Sequence, residues 1–278
     1  MDLILGLRLA RRFGLPLISD LGDPVLAPYT PRWRRALHRS LERSVLAASA
    51  SVLVTNDATR ELLCRRHGVD RSRITVLSQG YSEDVALEAV TAQRPSGLPL
   101  KLFYSGSLYR GLRSAAPVFE ALSRIEDVEL VIAGDAGEEG VPAGGRVRFV
   151  GRLSHADVLE WQRRSDVLLS IGNAGTVQVP GKIFEYFGAR RPILHVATDP
   201  ADACVSLVAS LRRGVCCTAE PEQIVAVLTR LRQLKLDGQL DASFELGLKS
   251  VEEYSWKRIG DRLSQLCDRV VQGRGHAS

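Results

Sequence analysis

The glycine-containing segment after Tyr104 is the strongest candidate for chemistry in the sequence. It reads Ser105-Gly106-Ser107 and is followed by Arg110 and Arg113. In an open parallel sheet, the turn after a strand faces the ligand side, and free backbone amides at a helix start attract anions. The two arginines would add charge-assisted hydrogen bonds to a diphosphate. The segment lacks the Walker lysine pattern and the full dinucleotide fingerprint, so an ordinary turn is the alternative.

A second segment whose residues could carry chemistry runs from Gln178 to Glu185. Pro180 and Gly181 can start a helix close to a ligand, and Lys182 and Glu185 would lie in its first turns. The alternative is a surface ion pair between Lys182 and Glu185, worth about 0.2–0.5 kcal/mol. By itself this segment favours the ion pair.

The elements that must position these residues alternate between short apolar runs and longer amphipathic segments. This alternation is typical of βαβ units and predicts an α/β fold with a mostly parallel sheet. Strands are predicted over residues 15–19, 51–54, 73–77, 100–104, 128–133, 146–150, 167–171 and 192–196. Helices are predicted over residues 3–13, 32–48, 57–67, 113–125, 155–164, 182–189, 204–210, 221–234 and 256–271, with Asn56 and Gly68 as caps of the third.

The chain divides into an incomplete first domain and a whole second one. Residues 1–81 hold too few units for a complete α/β domain, and residues 82–98 form a polar, acidic stretch typical of a linker. A new series of strands and helices occupies residues 99–255. We therefore expect two Rossmann-like domains, the first incomplete.

Composition narrows the function classes. The net charge is +5 and arginine dominates the basic residues, but the arginines are not interleaved with stacking aromatics, so nucleic-acid binding is not indicated. Five cysteines occur without metal-ligand spacing, so no metal site is expected. No apolar run approaches the ~20 residues of a membrane-spanning helix, and a cytoplasmic location is the default expectation.

The order and spacing of the two segments resemble those of the family 4 glycosyltransferases of the GT-B fold. The phrases VIAGDAGE, VRFVGRLSHADVLEWQRRSDVLLSI and VPGKIFEY are similar to that family's strands, glycine turns and donor-site helix. The resemblance implies a transferase that moves a sugar from a nucleotide-sugar donor to a glycan or lipid-linked acceptor. It also implies retention of anomeric configuration, no metal or other cofactor, and a role in bacterial surface polysaccharide or glycolipid synthesis.

The resemblance assigns roles around the donor diphosphate and nucleoside. Arg110 and Lys182 would stabilise the departing diphosphate, and Glu185 would bind the ribose. The remaining donor-site residues that it implies are Gly106, Ser107, Arg113, Gly134, Gly151, Arg152, Leu153, Gln178 and Gly181. Eight residues before Glu185, where the family has a sugar-contacting glutamate, stands Val177. The loop Gln178–Lys182 would face the donor sugar instead.

On the acceptor side, Asp20 is the candidate catalytic residue, and Asp23 is a second carboxylate in the same segment. An Asp-Pro turn that merely ends a strand is the alternative. In the predicted helix 32–48, arginines and apolar residues occupy different sides, which suits an anionic membrane surface as well as a solvated face. Residues 256–271 resemble the family's last helix, which makes residues 256–278 a segment that crosses back to the first domain.

Two other functions are compatible with the pattern. The first is a non-catalytic nucleotide-binding relative that serves as partner or regulator of a transferase. For either function, we expect the rest of the first domain to come from a missing amino-terminal segment or from a partner chain. The second is a sugar-phosphate epimerase, which would need acid–base groups in its site. Only scattered candidates, Asp20, Glu185 and His195, are available for that chemistry.

Overall fold

The structure, a computed structural model, describes residues 2–83, 97–109, 111–135, 137, 140, 142, 145–175 and 178–272. The chain forms two compact units. The first comprises Met1–Gln79, Thr176–Val179 and Trp256–Ser278, and the second comprises Gly80–Gly175 and Pro180–Ser255. Most of the predicted linker, residues 84–96, lies outside the described residues, as do Arg110 and Val177. The predicted domain boundaries stay a prediction.

The first unit is a parallel three-stranded sheet with helices. Its strands are β1 (Ile18–Leu21), β2 (Ser51–Val54) and β3 (Ile74–Val76), in the order β1-β2-β3. Its helices are α1 (Asp2–Phe13), α2 (Arg35–Ala48), α3 (Asp57–His67) and a carboxy-terminal helix, Trp256–Gln272. Apolar side chains of β1, β2, α2 and α3 form its core.

Local rules explain where these elements begin and end. Asn56 accepts a hydrogen bond from the amide of Thr59 at 2.8 Å, and Gly68 closes α3 in the left-handed conformation at φ 65°, so both predicted caps are confirmed. The prediction of a strand over residues 15–19 was wrong by three residues at its start. Leu15 is 59% exposed, and pairing with β2 begins only at Ile18.

The second unit is a parallel six-stranded sheet covered by helices. The strands are β4 (Leu100–Ser105), β5 (Val128–Ala133), β6 (Val147–Gly151), β7 (Val167–Ile171), β8 (Ile193–Ala197) and β9 (Gly214–Thr218), in the order β6-β5-β4-β7-β8-β9. The helices are α4 (Ala116–Ser123), α5 (His155–Arg164), α6 (Lys182–Ala189), α7 (Ala203–Ser210) and α8 (Pro221–Leu236). The helix of the first unit at Trp256–Gln272 is α9.

The core of the second unit lies between one face of the sheet and helices α4 and α8. Leu102 and Tyr104 of β4 pack there with Leu130 of β5, Val118 of α4 and Leu228 of α8, all fully buried. On the opposite face, Phe103 stacks on Trp161 of α5 with ring centroids 6.0 Å apart. A parallel sheet buried on both faces explains the consecutive apolar residues 102–104 of β4 and 167–169 of β7.

Two predictions for this unit were wrong or incomplete. A helix was expected from Arg113, but α4 begins at Ala116. Tyr109 and Arg113 exchange two backbone hydrogen bonds of 3.0 and 2.7 Å, so Arg113 closes a tight turn and is not free to enter a helix. Strand β9 was not predicted because Gly214-Val-Cys-Cys-Thr has no alternating pattern. A Cβ on Gly214 would lie 1.9 Å from the carbonyl oxygen of Ile193, so this edge position accepts only glycine.

The described helices are too short, or too rich in charged residues, for any of them to cross a bilayer.

Candidate functional site: a glycine-lined, cationic edge of the second sheet

The turns after β4 and β5 and the end of β6 meet at the carboxyl edge of the second sheet. The amide of Gly106 donates to the carbonyl of Ala133, and the amide of Gly134 donates to the carbonyl of Gly151, both at 2.8 Å. The backbones are so close that a Cβ on Gly134 would lie 2.2 Å from the carbonyl oxygen of Gly106. Gly134 also has φ 143°, a conformation that side chains rarely allow. The result is a floor of bare backbone at the ligand side of the sheet.

Arg113 lies beside this floor, at the end of the tight turn that begins at Tyr109. Its Nε donates to Oδ1 of Asn173 at 2.8 Å, and its Nη1 lies 3.5 Å from the carbonyl oxygen of Ser107. Gly111 allows the turn through its φ of 77°. Arg110, at the tip of the same turn in sequence, lies outside the described residues. The guanidinium of Arg113 is therefore held between the turns after β4 and β7.

Lys182, the first residue of α6, brings a second cation to the end of β4. Its Nζ donates to the carbonyl of Ser105 at 3.0 Å and lies 3.7 Å from the centre of the Tyr104 ring. Desolvation of the ammonium group and the nearby charge of Arg113 hold the pKa of Lys182 well below its usual value. The charge of Glu185 opposes this lowering, but among the described residues the two side chains do not meet as an ion pair, so the surface-pair alternative does not describe Lys182.

Glu185 and Tyr186 occupy different environments one turn into α6. Glu185 is partly exposed and has no hydrogen bond or ion pair within the described part of the chain. Tyr186 is fully buried; its hydroxyl donates to the carbonyl of Leu169 at 3.1 Å and lies 3.5 Å from the amide of Ser105. Burial raises the pKa of Tyr186, so its hydroxyl stays a neutral donor. Tyr186 fixes α6 against β4 and β7, while the Glu185 carboxylate stays available.

The three residues expected around the nucleoside base separate in the structure. Gly151 joins the glycine floor, and Arg152 is exposed. Leu153 lines a groove of about 780 Å³ on the sheet face, with Val131 and Trp161. Residues 151–153 therefore contribute both to the glycine floor and to the groove.

The candidates on the acceptor side lie in the first unit. Asp20 is an exposed residue of β1, and partial desolvation of its carboxyl group raises its pKa. Of the two residues expected at the donor sugar, Gln178 belongs to the first unit, where its side-chain amide donates to the carboxylate of Asp23. Gly181 precedes α6 in the second unit.

A buried polar cluster offers metal-ligand types elsewhere in the second unit. Nε2 of His195 lies 2.9 Å from the carboxylate of Asp202, and its Nδ1 lies 3.1 Å from the hydroxyl of Ser170. Cys204 completes the cluster, and burial raises the pKa of its thiol. The side chains of His195 and Asp202 already bond to each other, and Asp202 also accepts a hydrogen bond from the amide of Cys204 at the start of α7. This arrangement supports a structural role.

Asn173 is the residue of this edge that the sequence patterns missed. It follows Gly172 directly after β7, and the rule that ligands bind beyond the carboxyl ends of parallel strands could have singled it out. Its bond to Arg113 joins segments that are 60 residues apart in sequence, which no local pattern reveals.

Two α/β units, each with a parallel sheet, fit the two Rossmann-like domains of the GT-B fold. The comparisons with known proteins agree with this class. Residues 3–80 match the model of the glycosyl transferase 4-like domain. This match lies in the first unit and agrees with the resemblance to family 4 glycosyltransferases noted from the sequence motifs.

Solved structures share the fold. HepE from Anabaena, solved with UDP, superposes with a TM-score of 0.76 at 14% identity, over 96% of this chain and 76% of HepE. The same protein has been solved with UDP-glucose. A glycosyltransferase from Rickettsia africae gives a TM-score of 0.65 at 12% identity, over 97% of this chain and 80% of its own. WaaG, a glycosyltransferase involved in lipopolysaccharide biosynthesis, gives 0.57 at 15% identity, over 86% and 74%. No curated protein matches the chain.

Proposed function

We propose that the protein transfers a sugar from a nucleotide diphosphate sugar to a glycan or lipid-linked acceptor, with retention of configuration and without a metal ion. The observation that carries this proposal is the glycine floor at Gly106 and Gly134 with Arg113 and Lys182 beside it. The glycines leave room for a ligand close to the backbone, and the cations suit a diphosphate. HepE, which shares the fold, has been solved with UDP and UDP-glucose.

The cations act on the leaving group. When the bond between sugar and diphosphate breaks, negative charge grows on the departing oxygen, and charge that grows in the transition state is where fixed cations accelerate a reaction. Lys182 is held over Tyr104 and by Ser105, so it needs little reorganisation to meet that charge. Arg110, which holds the family's basic position, is proposed to act with it. These side chains perform the charge neutralisation for which other transferases use a divalent cation.

The nucleoside is proposed to bind through the residues next to this edge. Glu185 has an unpaired carboxylate in the described part of the chain and is suited to accept hydrogen bonds from the ribose hydroxyls. The backbone at Gly151–Leu153 is proposed to line the base. Because Val177 replaces the family's sugar-contacting glutamate, Gln178 and Gly181 are proposed to face the donor sugar.

The acceptor is proposed to be presented at an anionic membrane surface on the cytoplasmic side. Trp33 and Leu37 are 76% and 69% exposed, and Arg35 and Arg39 line a surface cleft of about 450 Å³ with Arg43. Leu41 of the same helix packs toward the core of the first unit. Exposed aromatic and basic groups on one helical segment are suited to lipid headgroups. Asp20 is proposed as the group that meets the acceptor hydroxyl.

Binding measurements without metal test the donor site. We expect UDP, GDP or ADP to bind the protein in the presence of a chelator, as seen by calorimetry. Lys182→Ala and Arg113→Ala should each weaken binding by roughly tenfold, since each removes a charge-assisted contact. Arg124→Ala is the matched control, because that side chain is partly exposed and pairs with Glu120 on α4 and Glu222 on α8. Equal affinities for all four proteins would contradict the placement of the diphosphate.

Val177 favours a second candidate, a nucleotide-binding relative without transferase activity. The missing glutamate would remove a contact to the donor sugar and leave the diphosphate contacts in place. Nucleotide binding without release of nucleotide diphosphate from any nucleotide sugar, in the presence of membrane acceptors, would support this candidate over the transferase.

A further inference from the structure

Asn173 is a nearly buried polar residue at the edge where the diphosphate is proposed to bind. It follows β7 by two residues, and 9% of it is exposed. Its Oδ1 accepts the 2.8 Å hydrogen bond from Nε of Arg113. The adjacent backbone is tied to the same turn, because the amide of Ala174 donates to the carbonyl of Leu112 at 2.7 Å. The loop after β7 therefore holds the turn that ends at Arg113.

The chemistry of the pair fixes the orientation of the Asn173 amide. A guanidinium has donors and no acceptor, so the oxygen of Asn173 must face Arg113 and the nitrogen must point away. In the part of the chain that the structure describes, the Nδ2 group of Asn173 has no acceptor, and neither has Nη2 of Arg113. The guanidinium of Arg113 and the side-chain amide of Asn173 therefore lie side by side, and each still has an N–H group that can donate to a ligand.

The neutrality of Asn173 matters because a carboxylate would make the same hydrogen bond more strongly. A carboxylate would also cancel the charge of Arg113, whereas an amide holds the guanidinium and leaves its full charge for a ligand. Lys182 is affected by the same charge, since Arg113 contributes to the lowered pKa of Lys182. The edge therefore keeps two basic side chains close together, which favours function over the stability of the empty protein.

We propose that Asn173 is a positioning residue for diphosphate binding, which holds Arg113 by a neutral acceptor and offers its own Nδ2 to the phosphate oxygens. This inference rests on the proposed function and adds to it a residue outside both sequence motifs. It implies that the negative charge of aspartate at this position is harmful to binding even though aspartate is nearly identical in shape.

The test compares Asn173→Asp with the wild-type protein in binding UDP, uridine and inorganic pyrophosphate. We expect Asn173→Asp to weaken binding of UDP and pyrophosphate by roughly ten- to a hundredfold, the scale of a charge-assisted contact. Affinity for uridine should not change. The melting temperature without ligand should equal or exceed that of the wild type, because the new carboxylate pairs with Arg113. A purely structural role predicts the opposite, since aspartate keeps the acceptor and binding would be unaffected.

A charge control separates this local effect from the net charge of the protein. Gln239→Glu adds the same charge at an exposed position after α8. Four residues earlier, Lys235 donates to the carbonyl of Pro99 at 2.9 Å, before β4 begins, which places this region at the opposite edge of the sheet. Gln239→Glu should bind UDP like the wild type.

The outcomes distinguish the inference from the proposed function. If the wild type binds UDP and Asn173→Asp binds it equally well, the inference is wrong and the donor site stands. If the wild type binds no nucleoside diphosphate and no pyrophosphate, the proposed function is wrong, and the inference is overturned with it.

Discussion

The carboxyl edges of the two sheets are built differently. In the second unit, strands end in glycines, and the cations Arg113 and Lys182 lie beside them. In the first unit, Thr55 donates to the carbonyl of Gly22 at 3.3 Å, Asn56 caps α3, and the exposed charged group of β1 is Asp20. The second edge thus presents cations beside closely packed backbone, whereas the first presents a carboxylate and turns closed by their own hydrogen bonds. The difference lies in Arg113 and Lys182 on one side and in Asp20, which stands in β1 itself, on the other.

The largest expected effect concerns a buried carboxylate in the first unit. In the first unit, Glu42 is fully buried and accepts hydrogen bonds from Arg66 at 2.8 Å, from the amide of Leu26 at 3.1 Å and, with His67 as donor, at 2.6 Å. Glu42→Gln leaves Arg66 without its counter-charge and should lower the free energy of unfolding by about 3 kcal/mol. Denaturant unfolding at neutral pH measures it.

The same variant should change the acid sensitivity of the protein. Burial raises the pKa of Glu42, but the hydrogen bonds from Arg66, His67 and Leu26 outweigh burial and lower the pKa below its ordinary value. The stabilisation is therefore present above the unfolded-state pKa and is lost as pH falls through the folded-state pKa. The free energy of unfolding of Glu42→Gln should fall less steeply with decreasing pH than that of the wild type. Equal slopes would contradict this role of Glu42.

The next effect compares one glycine from each edge. Gly134→Ala places a Cβ 2.2 Å from the carbonyl oxygen of Gly106 at φ 143° and should cost about 2–3 kcal/mol. Gly22→Ala meets no atom within 4 Å and should change stability by less than about 0.5 kcal/mol. Thermal unfolding of the two variants measures the difference. Similar losses would show that close packing of the backbone is not special to the second edge.

The smallest effect is the pH dependence of diphosphate binding. The pKa of Lys182 is lowered in the free protein, and a bound diphosphate should raise it. Binding should therefore take up a proton, and affinity should fall as pH rises from the free-state pKa of Lys182 to its bound-state pKa. Calorimetry of UDP binding in buffers of different ionisation enthalpy, above the pH at which UDP is fully ionised, measures the uptake. Lys182→Met should abolish it.

Much of the fold could be predicted because the spacing of apolar residues along the sequence follows their burial in the structure. Strands β2, β5 and β7 and helices α3, α5 and α6 have the predicted bounds. Strand β9 was missed because an edge strand with glycine and two cysteines has no such periodicity. The helix expected at Arg113 failed because the turn from Tyr109 to Arg113 is stabilised by its own backbone hydrogen bonds, which outweigh helix propensity.

The site was predictable only where its residues follow strands in sequence. Gly106, Gly134 and Gly151 follow or end adjacent strands, so the parallel arrangement brings them together. The environment of Lys182 over Tyr104 depends on how α6 packs against β4, and the bond between Asn173 and Arg113 depends on two loops from different strands. Such contacts are properties of the tertiary structure.

The close approach at Gly134 has an evolutionary consequence. Any substitution there adds a Cβ, and the atom it meets belongs to the backbone, which cannot move aside as a flexible side chain would. A change at Gly134 therefore has no simple compensating partner, because no second substitution can remove a carbonyl oxygen. Every descendant sequence that keeps this backbone should therefore retain the glycine. A lineage that lost it would have to rebuild the turn after β5.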